Sequence, residues 1–460
     1  MDTSHVLAQH IADTRYEDLP AEVVAVTKNC ILDTLGVILA ATTLGESGVQ
    51  EIVELVREGG GKEESSILGF GRKAPALMAA LANGAMAHQL DYDDCFDLGV
   101  VHPGAGAVPA ALAIAERQGH VTGRDFIAAV ALGADTICRL SLPLTRGSFD
   151  YPWARVGTFN KYGAAAAAAK LLGLDQAQVV NAFGIALNQA ALSNASSYAE
   201  GSDMRAIRDG FGAQAGVLAA LLAAKGILGD QDSLDGKYGL YNICFLGDND
   251  PARVTAALGK KYYGLDVSFK PWPCCRNVHG YLEAALLILR EEGLKPADVE
   301  EVVTVSGGTR KSYFDSLAER RRPRTSADAR YSLPFILGAA LARGDVLLED
   351  FTPAGRDNPV ALELAQRVTY RFDEKYKRPG IEVGVVEILT RDGRKYSREV
   401  PFAYGHPQNP ISQDDLFKKF RDCARYARQP LADRQVEQII DSLEHIEEME
   451  DIREFIKLFN

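Results

Sequence analysis

"GAAAAAAKLLGLDQAQVVNAFGIALNQAAL", residues 163–192, is the clearest indication of fold class in the chain. The run Ala164–Ala169 has high helix propensity, and its small side chains allow neighbouring backbones to approach closely. Gly173 interrupts the pattern, and Asp175 followed by Gln178 has the spacing of a capping box that starts a second helix. The stretch therefore predicts two consecutive helices inside a helical domain.

Helical patterns continue on both sides of this stretch. Upstream, Pro20 stands at a first-turn position before an apolar run of helical length, and Thr122 with Asp125 forms a variant capping box. Downstream, "FGAQAGVLAALLAAKG" has the pattern of a helix that stops at Gly226. We therefore predict that residues 1–266 are helical.

The pattern changes near residue 267. "VEEVVTVSGG" and "RVTYRF" are rich in β-branched and aromatic residues, and "EVGVVEILTRDGRKYSREV" indicates a hairpin that turns at Asp392 and Gly393. Helical patterns lie between these strands, and the chain is helical again from "ISQDDLFKKF" onward. We predict a mainly α fold, in which a large all-helical domain, residues 1–266 and 402–460, carries an inserted smaller α+β domain, residues 267–401.

The composition excludes several classes of function. The chain of 460 residues has a net charge of −12 and a pI near 5.3, which argues against binding to nucleic acids or anionic membranes. Its seven cysteines include no CxxC pair, so the spacing of a zinc or redox motif is missing. The first residues lack the pattern of a signal peptide, and no uninterrupted apolar run of ~18 residues occurs. We expect a cytoplasmic protein without a membrane span.

"KPWPCCRNVHG", residues 270–280, places polar donors beside two adjacent cysteines. A metal site is disfavoured because vicinal cysteines rarely chelate one ion together, and a vicinal disulfide needs strain. Lys270, Arg276 and His279 supply donors for an anion, and a lysine desolvated beside Trp272 and other cations is able to act as a base. We interpret the stretch as an anion pocket in which the cysteines are small packing residues.

"AHQLDYDDCFDLGVVHPG", residues 87–104, holds a second group of ionisable residues. His88 and Asp91 are three residues apart, so on a helix they share one face. The carboxylates that follow stand at a helix end that disfavours anions. His102 opens the next helix, where N–H groups are able to hold an anion.

Arginines form two further clusters. Arg205 and Arg208 are three residues apart before an apolar helix, and two guanidinium groups on one face make a fork for carboxylates. The basic run Arg320–Arg324 is more often a solvated surface feature, and we assign it no role.

Six motifs in this order resemble the MmgE/PrpD family: "HQLDYDD", "HPGAGAVPAALAIAE", "GAAAAAAKLLGL", "KPWPCCRNVH", "ARYSLPF" and "GHPQNPIS". The family includes 2-methylcitrate dehydratase, cis-aconitate decarboxylase and iminodisuccinate epimerase, and the resemblance covers residues 5–458. It implies a large all-helical domain, a smaller α+β lid, an active site between them, and a homodimer without metal or organic cofactor. It places Asp91, His102, Lys270 and Tyr331 on active-site positions, and His279 on the histidine that ends the "PCCR" motif.

The chain departs from the family pattern at three places. Cys95 stands where relatives commonly have threonine after "DD". The segment "SFDYPWARVGTFNKYG" lacks the histidine that relatives commonly carry there, and Tyr151, Trp153 or Arg155 is available to fill that space. Arg205 and Arg208 stand where many relatives have lysine and histidine, and an arginine is able to hold a carboxylate but is a poor base.

The resemblance implies removal of a proton next to a carboxylate of a small di- or tricarboxylate. Such chemistry needs fixed positive charge to stabilise the developing enolate. We expect Lys270 to be the base or the enolate stabiliser, Asp91 to orient His102 as a second acid/base group, and Tyr331 or Tyr151 to act on the opposite face. The residues assigned to substrate binding are Arg205, Arg208, Cys275, Arg276 and His279.

Several activities remain open at this point. A dehydratase is the leading prediction, because it is the more usual activity among relatives. An epimerase is the alternative, since Lys270 and Tyr151 would suffice as two opposed bases, and a decarboxylase is third. A different class, a non-catalytic helical protein that binds small anions, would also explain the missing histidine.

Overall fold

The computed structural model describes the chain except for short gaps. The described residues are 2–46, 48–147, 150–189, 192–194, 202–308, 316–377, 381 and 383–459. The chain divides into two compact units: unit 1 comprises Met1–Gln89, Asp93–Val267 and Gln413–Asn460, and unit 2 comprises Leu90–Tyr92 and Ser268–Ser412. Unit 2 is therefore built from two separate pieces of chain, and each piece is bounded at both ends by unit 1.

Most of the regular structure is helical, which confirms the mainly α prediction. Unit 1 begins with α1 Thr3–Asp13, α2 Ala21–Leu44, α3 Val49–Gly59, β1 Ser65–Ile67, β2 Arg72–Ala74, α4 Ala76–His88, α5 Pro103–Gln118, α6 Gly123–Ser141, α7 Arg155–Leu171, α8 Gln176–Leu187, α9 Met204–Ala224, α10 Leu240–Cys244 and α11 Pro251–Thr255. Unit 2 contains α12 His279–Glu292, β3 Val299–Ser306, α13 Leu317–Arg320, α14 Ser326–Arg330, α15 Leu333–Arg343, α16 Pro353–Arg356, α17 Pro359–Gln366, β4 Val368–Phe372, β5 Gly384–Thr390 and β6 Lys395–Val400. Unit 1 ends with α18 Gln413–Ala424, α19 Asp433–Glu444 and α20 Arg453–Ile456.

In unit 1, helices α6 and α8 begin at the capping residues that the sequence predicts. The Thr122 hydroxyl accepts a hydrogen bond of 3.1 Å from the backbone N–H of Asp125 at the start of α6. Asp175 and Gln178 exchange hydrogen bonds of 2.9 and 3.1 Å at the start of α8, as a capping box does. Gly173 separates α7 from α8 with a φ of +66°, a conformation that glycine adopts without strain. These predictions from the sequence are confirmed.

The small residues of α7 allow the close helix packing that the sequence predicts. All six alanines of Ala164–Ala169 are fully buried. Helix α9 crosses them at Gly216, where an added Cβ would lie only 2.4 Å from the Cβ of Ala164 and 2.5 Å from the carbonyl oxygen of Lys161. The two backbones therefore approach more closely than any larger residue would permit, and α7 with α9 forms the centre of unit 1.

Helix α2 is long and apolar enough, by length and composition, to cross a membrane. Lys28 and Asn29 interrupt its apolar run near the start. Within unit 1, 72% of its most apolar window is buried. Its apolar side chains are thus already covered by protein, as in a core helix of a folded domain.

A short hairpin in unit 1 was not predicted. Strands β1 and β2 pair antiparallel from Ser65 opposite Ala74 to Ile67 opposite Arg72, whereas the sequence predicts only helices in this part of the chain. Strands of three residues are too short to show an alternating pattern. The prediction of an exclusively helical first part is therefore wrong at this place.

Unit 2 is an α+β unit around a mixed sheet with strand order β4-β3-β5-β6. Strand β3 pairs parallel with β4 and antiparallel with β5, and β5 pairs antiparallel with β6. The predicted hairpin is confirmed, and Gly393 has a φ of +86° in its turn. The sheet buries one face, including Val302, Val386 and Ile388, against α12 and α15.

Helix α12 lies on β5 with almost no separation at one point. A Cβ added to Gly384 would lie 1.9 Å from the backbone carbon of Gly280. Backbone is unable to move aside as the end of a flexible side chain does. The first turn of α12, which follows the "KPWPCCRNVHG" stretch, is therefore fixed against the sheet.

We predict that Gly384→Ala lowers the free energy of unfolding by about 1–3 kcal/mol or more, because the added methyl group forces α12 away from β5. Denaturant titration followed by circular dichroism measures the change. The matched control is Gly59→Ala, since an added Cβ at Gly59 has no atom within 4 Å. Equal stability of Gly384→Ala and the unchanged protein would contradict the close packing.

Candidate active site

Unit 2 contains an ion pair between Lys270 and Asp91. Asp91 belongs to a segment of three residues, Leu90–Tyr92, which we call the strap. Asp91 within it has a φ of +46°, in the left-handed region that aspartate tolerates better than most residues. Helix α4 has already ended at His88. The prediction that His88 and Asp91 share one helix face is therefore wrong, because the helix does not reach Asp91.

Lys270 and Asp91 form a buried ion pair. The Lys270 ammonium donates to the Asp91 carboxylate and also, at 2.9 Å, to the Asp91 backbone carbonyl. The exposed fraction is 0% for Lys270 and 4% for Asp91. A buried charge is tolerated when it is paired and hydrogen-bonded, and an adjacent carboxylate favours the protonated ammonium. The pair thus offers a desolvated ammonium held in one position.

The two adjacent cysteines of the "PCC" stretch are thiols in the structure. No disulfide joins any of the seven cysteines among the described residues. Burial raises the pKa of the Cys274 thiol well above its usual value, and the neighbouring Cys275 adds to the effect. The backbone N–H of Cys275 donates to the Arg330 carbonyl at 2.9 Å. Cys274 is therefore neutral at physiological pH and packs as a small apolar residue, as the sequence predicts.

His279 lies in the interior of unit 2. Its exposed fraction is 0%, its Nε2 donates to the Cys274 carbonyl at 3.1 Å, and its ring contacts Trp272 edge to face at 5.4 Å between centroids. Burial lowers the pKa of His279 well below its usual value, and the Arg276 guanidinium adds to the effect. A neutral imidazole in this position stabilises the backbone of the cysteine stretch. Its predicted contact with substrate stays a prediction.

The other predicted residues of unit 2 lie near this stretch or near its contacts. Arg276 is buried, and its Nη2 donates to the Ser268 hydroxyl at 3.2 Å. Tyr331 is half-buried and packs against the apolar core of unit 2. Within the basic run, Arg320 donates to the Tyr331 carbonyl at 2.9 Å. At least part of that run is therefore engaged with the backbone and is not simply solvated.

In unit 1, one carboxylate contacts two imidazoles. The Nδ1 atom of His88 lies 3.0 Å from both oxygens of Asp93. The Nδ1 atom of His102 lies 2.6 Å from the Asp94 carbonyl and 3.2 Å from Asp93. Because each Nδ1 faces only acceptors here, each carries a proton. A neutral His102 therefore has its lone pair on Nε2, which is the atom available as a base.

Arg208 extends this cluster. Its Nη2 lies 3.4 Å from Nε2 of His88, and its Nε lies 3.7 Å from Asp209, which also accepts a hydrogen bond from Asn160. Arg208 is buried, whereas Arg205, three residues earlier on the same face of α9, is half-buried. The two arginines thus differ in surroundings, and Arg205 has the greater access to a small anion.

Asp94 occupies the anion position at the start of α5. Both of its carboxylate oxygens accept from the Gly104 N–H, at 3.0 and 3.1 Å, and the Cys30 thiol donates to it at 3.4 Å. From the sequence we expect these helix N–H groups to be open to a ligand and the carboxylates to gain no favourable electrostatics. Both expectations are wrong for Asp94, because the chain folds it back onto the next helix. Burial, with the charges of Asp93 and Asp33, raises the pKa of Asp94 to about 8.

Tyr151 belongs to the apolar core of unit 1. Its ring packs edge to face on Phe245 at 5.4 Å between centroids, and its hydroxyl donates to the Asp248 carboxylate. Burial and this hydrogen bond raise the pKa of Tyr151 above its usual value. The hydroxyl is thus held in its protonated form. The predicted role of Tyr151 in proton transfer has no support from these contacts.

Several buried polar residues have no role predicted from the sequence. Asp93 and Asp94 were visible as an acidic run, but their partners were not. Arg330 was visible inside the "ARYSLPF" motif without a role. Lys161 lies in the segment that lacks the family histidine, and burial lowers the pKa of this lysine to about 8. Its position before the alanine run of α7 was the only available signal.

We predict that Asp94→Asn reduces the loss of stability that accompanies a rise from acidic pH to about pH 8. The carboxyl group ionises near 3.8 when unfolded and near 8 when folded, so the folded protein binds the extra proton between these values. Its contribution to stability is therefore complete at low pH and is lost as the pH rises through about 8.

Denaturant titrations at pH 5, 7 and 9 compare the two proteins. The control for removal of one negative charge is Asp175→Asn at the exposed start of α8. Parallel pH dependences of the unchanged protein and Asp94→Asn would show that the folded Asp94 is ionised.

Comparison with known proteins adds an independent observation. Residues 5–252 match the MmgE/PrpD N-terminal domain, and residues 272–445 match the MmgE/PrpD C-terminal domain. A cis-aconitate decarboxylase-like protein of Aspergillus oryzae is 28% identical, over 99% of this chain and 96% of the relative. The cis-aconitate decarboxylases of Aspergillus terreus and Homo sapiens are 25% and 27% identical, over 96% and 94% of this chain and 93% and 89% of their own lengths. The chain therefore belongs to the MmgE/PrpD family.

Proposed function

We propose that the protein is a lyase for small di- or tricarboxylates, with decarboxylation as its first candidate reaction. The buried ion pair of Lys270 and Asp91 is the observation that carries this proposal. Two relatives that align over nearly the whole chain are named cis-aconitate decarboxylases, and a third is named a cis-aconitate decarboxylase-like protein, which supports the same reaction. The proposal replaces the dehydratase as the leading candidate.

The ion pair with Asp91 favours Lys270 as a general acid over Lys270 as a general base. Decarboxylation breaks the bond between a carbon and its carboxylate, releases CO₂, and leaves the electron pair on the carbon. That carbanion then needs a proton and nearby positive charge. The Lys270 ammonium supplies both, because Asp91 favours its protonated form. Proton abstraction would instead require Lys270 to be neutral, which the adjacent carboxylate opposes.

A decarboxylase must hold the substrate carboxylates that do not leave. We assign this role to Arg205, which is half-buried in the first turn of α9, where the helix N-terminus also favours an anion. Arg208 contributes less directly, since it lies between His88 and Asp209. A guanidinium group offers paired donors to a carboxylate, and it stays charged throughout the reaction.

Dehydration is the second candidate, and His102 is the specific observation in its favour. Elimination of water requires a base for the proton next to the carboxylate and an acid for the departing hydroxyl group. The Nε2 lone pair of His102 supplies the base, since Nδ1 donates to the Asp94 carbonyl. Lys270 would then protonate the hydroxyl group as it leaves.

The remaining alternatives have less support. Epimerisation needs two opposed bases, and Tyr151 donates its hydroxyl to Asp248 within the core of unit 1. A non-catalytic anion binder has no need of a buried lysine whose ammonium is oriented by a carboxylate. The homodimer stays a prediction, and apolar side chains exposed at Ile227, Leu228 and Leu246 are available for it.

We predict that proton NMR in D₂O distinguishes these activities on a panel of unsaturated, hydroxylated and amino-substituted di- and tricarboxylates. Decarboxylation gives CO₂ and a product with one deuterium at the carbon that lost it. Dehydration gives new vinyl signals, and epimerisation gives deuterium at the carbon beside the carboxylate in a mixture of the substrate and its epimer. Binding without any reaction across the panel would overturn the lyase proposal.

We predict that Lys270→Met lowers kcat by about 10²–10⁴-fold, the range for loss of a general acid. The matched control is Lys419→Met, because Lys419 forms a similar buried ion pair with Asp33. The control should lose stability but retain kcat. Activity of Lys270→Met equal to that of the control would remove Lys270 from the mechanism.

We predict that His102→Gln separates the two candidate reactions. A decarboxylase in which Lys270 is the acid should lose less than about tenfold in kcat, whereas a dehydratase that uses His102 as its base should lose about 10²-fold or more. Steady-state kinetics on the substrate found by NMR measure the change. A large loss with a decarboxylated product would assign His102 to decarboxylation and contradict our division of roles.

A further inference from the structure

Arg330 joins the two separate pieces of chain that carry the ion pair of unit 2. Its Nη1 atom donates to the Leu90 carbonyl at 2.7 Å and to the Pro273 carbonyl at 2.6 Å. Leu90 directly precedes Asp91, and Pro273 lies three residues after Lys270. One guanidinium group therefore connects the strap to the segment that holds the lysine. We propose that Arg330 is a positioning residue for Lys270 and Asp91.

The strap has an anchor at each of its three residues. The Leu90 carbonyl accepts from Arg330, the Asp91 carbonyl accepts from Lys270 at 2.9 Å, and the Tyr92 hydroxyl donates to the Pro271 carbonyl at 3.1 Å. A segment of three residues outside any helix or strand has no regular backbone hydrogen bonds of its own. Its conformation, including the positive φ of Asp91, thus depends on these contacts.

The surroundings of Arg330 fix the plane of its guanidinium group. Its Nε atom donates to the Ser326 hydroxyl at 3.2 Å, and its Cζ atom lies 4.4 Å from the centre of the Phe351 ring. Its exposed fraction is 2%. A planar group held on several sides reaches two carbonyls at once, whereas a lysine is a flexible point charge. The substitution Arg330→Lys would therefore keep the charge but not this geometry.

Arg330 affects catalysis through the positions of Lys270 and Asp91. Misplacement of a catalytic group by about 1 Å costs as much as 10²-fold in rate. Loss of the Arg330 contact at Leu90 removes one of the three anchors of the strap, so the Asp91 carboxylate is held less firmly and the Lys270 ammonium loses part of its orientation. Arg330 itself need not touch substrate, and its replacement should therefore change kcat and not KM. This inference rests on the proposed role of Lys270.

The test compares Arg330→Lys with Arg321→Lys. Arg321 is a matched control because it also donates to a backbone carbonyl within unit 2, that of Val368 at 2.7 Å. We expect Arg330→Lys to lower kcat by about 10²-fold with KM changed less than about threefold, while Arg321→Lys retains both. Equal kcat values for the two variants would overturn the proposal, as would a loss confined to KM.

A second variant covers the case in which Arg330→Lys does not fold. Phe351→Leu leaves the arginine in place but removes the ring that holds its plane, so we expect a smaller decrease of kcat with unchanged KM. Unchanged kcat in Phe351→Leu would overturn the proposal. Lys270→Met, measured alongside, separates the two levels of inference: if it stays active, the proposed function fails, and if it is inactive while Arg330→Lys is fully active, only the role of Arg330 fails.

Discussion

Burial of the Lys270 ammonium is the constraint on which the rest of unit 2 depends. An ammonium group without exposure to water is tolerated only with a partner of opposite charge and further acceptors. The Asp91 carboxylate and carbonyl supply both. Since Asp91 lies far from Lys270 in sequence, the chain must bring a short segment into unit 2 and keep it there. The left-handed backbone of Asp91 and the contacts of Arg330 and Tyr92 follow from this need.

Unit 1 also buries ionisable groups, but their partners are of another kind. Asp93 and Asp94 are adjacent, fully buried carboxyl groups, and their partners differ in kind. Asp93 faces the Nδ1–H groups of His88 and His102. Asp94 has a backbone N–H and a thiol, neither of which carries a positive charge, so its neutral form is favoured. Two neighbouring residues of the same type thereby have partners of different kinds, and the environment of a carboxyl group is a common way to divide roles within one site.

The sequence was sufficient for features that depend on local chemistry. The N-cap at Thr122, the capping box at Asp175, the break at Gly173 and the turn at Gly393 all arise from interactions between residues close in sequence. The alanine run of α7 also had one clear meaning, since small residues permit close packing wherever they meet a second helix. The motifs that resemble the MmgE/PrpD family then indicated which polar residues to examine, and comparison with known proteins confirmed the family.

Features that depend on distant partners were not predictable in this way. The pairing of Asp91 with Lys270 joins residues from two pieces of chain, and no periodicity reports it. The same holds for Asp94, whose position at the start of α5 depends on the path of the loop between Asp94 and that helix. Tyr151 was an attractive candidate by position, but its contact with Asp248 is visible only in the folded chain. Local sequence patterns thus predicted the helices and strands, whereas the partners of the buried charged residues depend on tertiary contacts.

The strap has a consequence for how this protein can be divided. By length, residues 268–412 resemble an independent module that could be expressed, exchanged between relatives or inserted elsewhere as one continuous piece. Such a fragment would contain Lys270 and Arg330 but neither Asp91 nor the Leu90 carbonyl, so two buried cations would lose acceptors together. The codons for the two residues of this ion pair therefore lie in separate stretches of the gene. Recombination at the apparent domain boundaries would separate Lys270 from its counter-ion, Asp91.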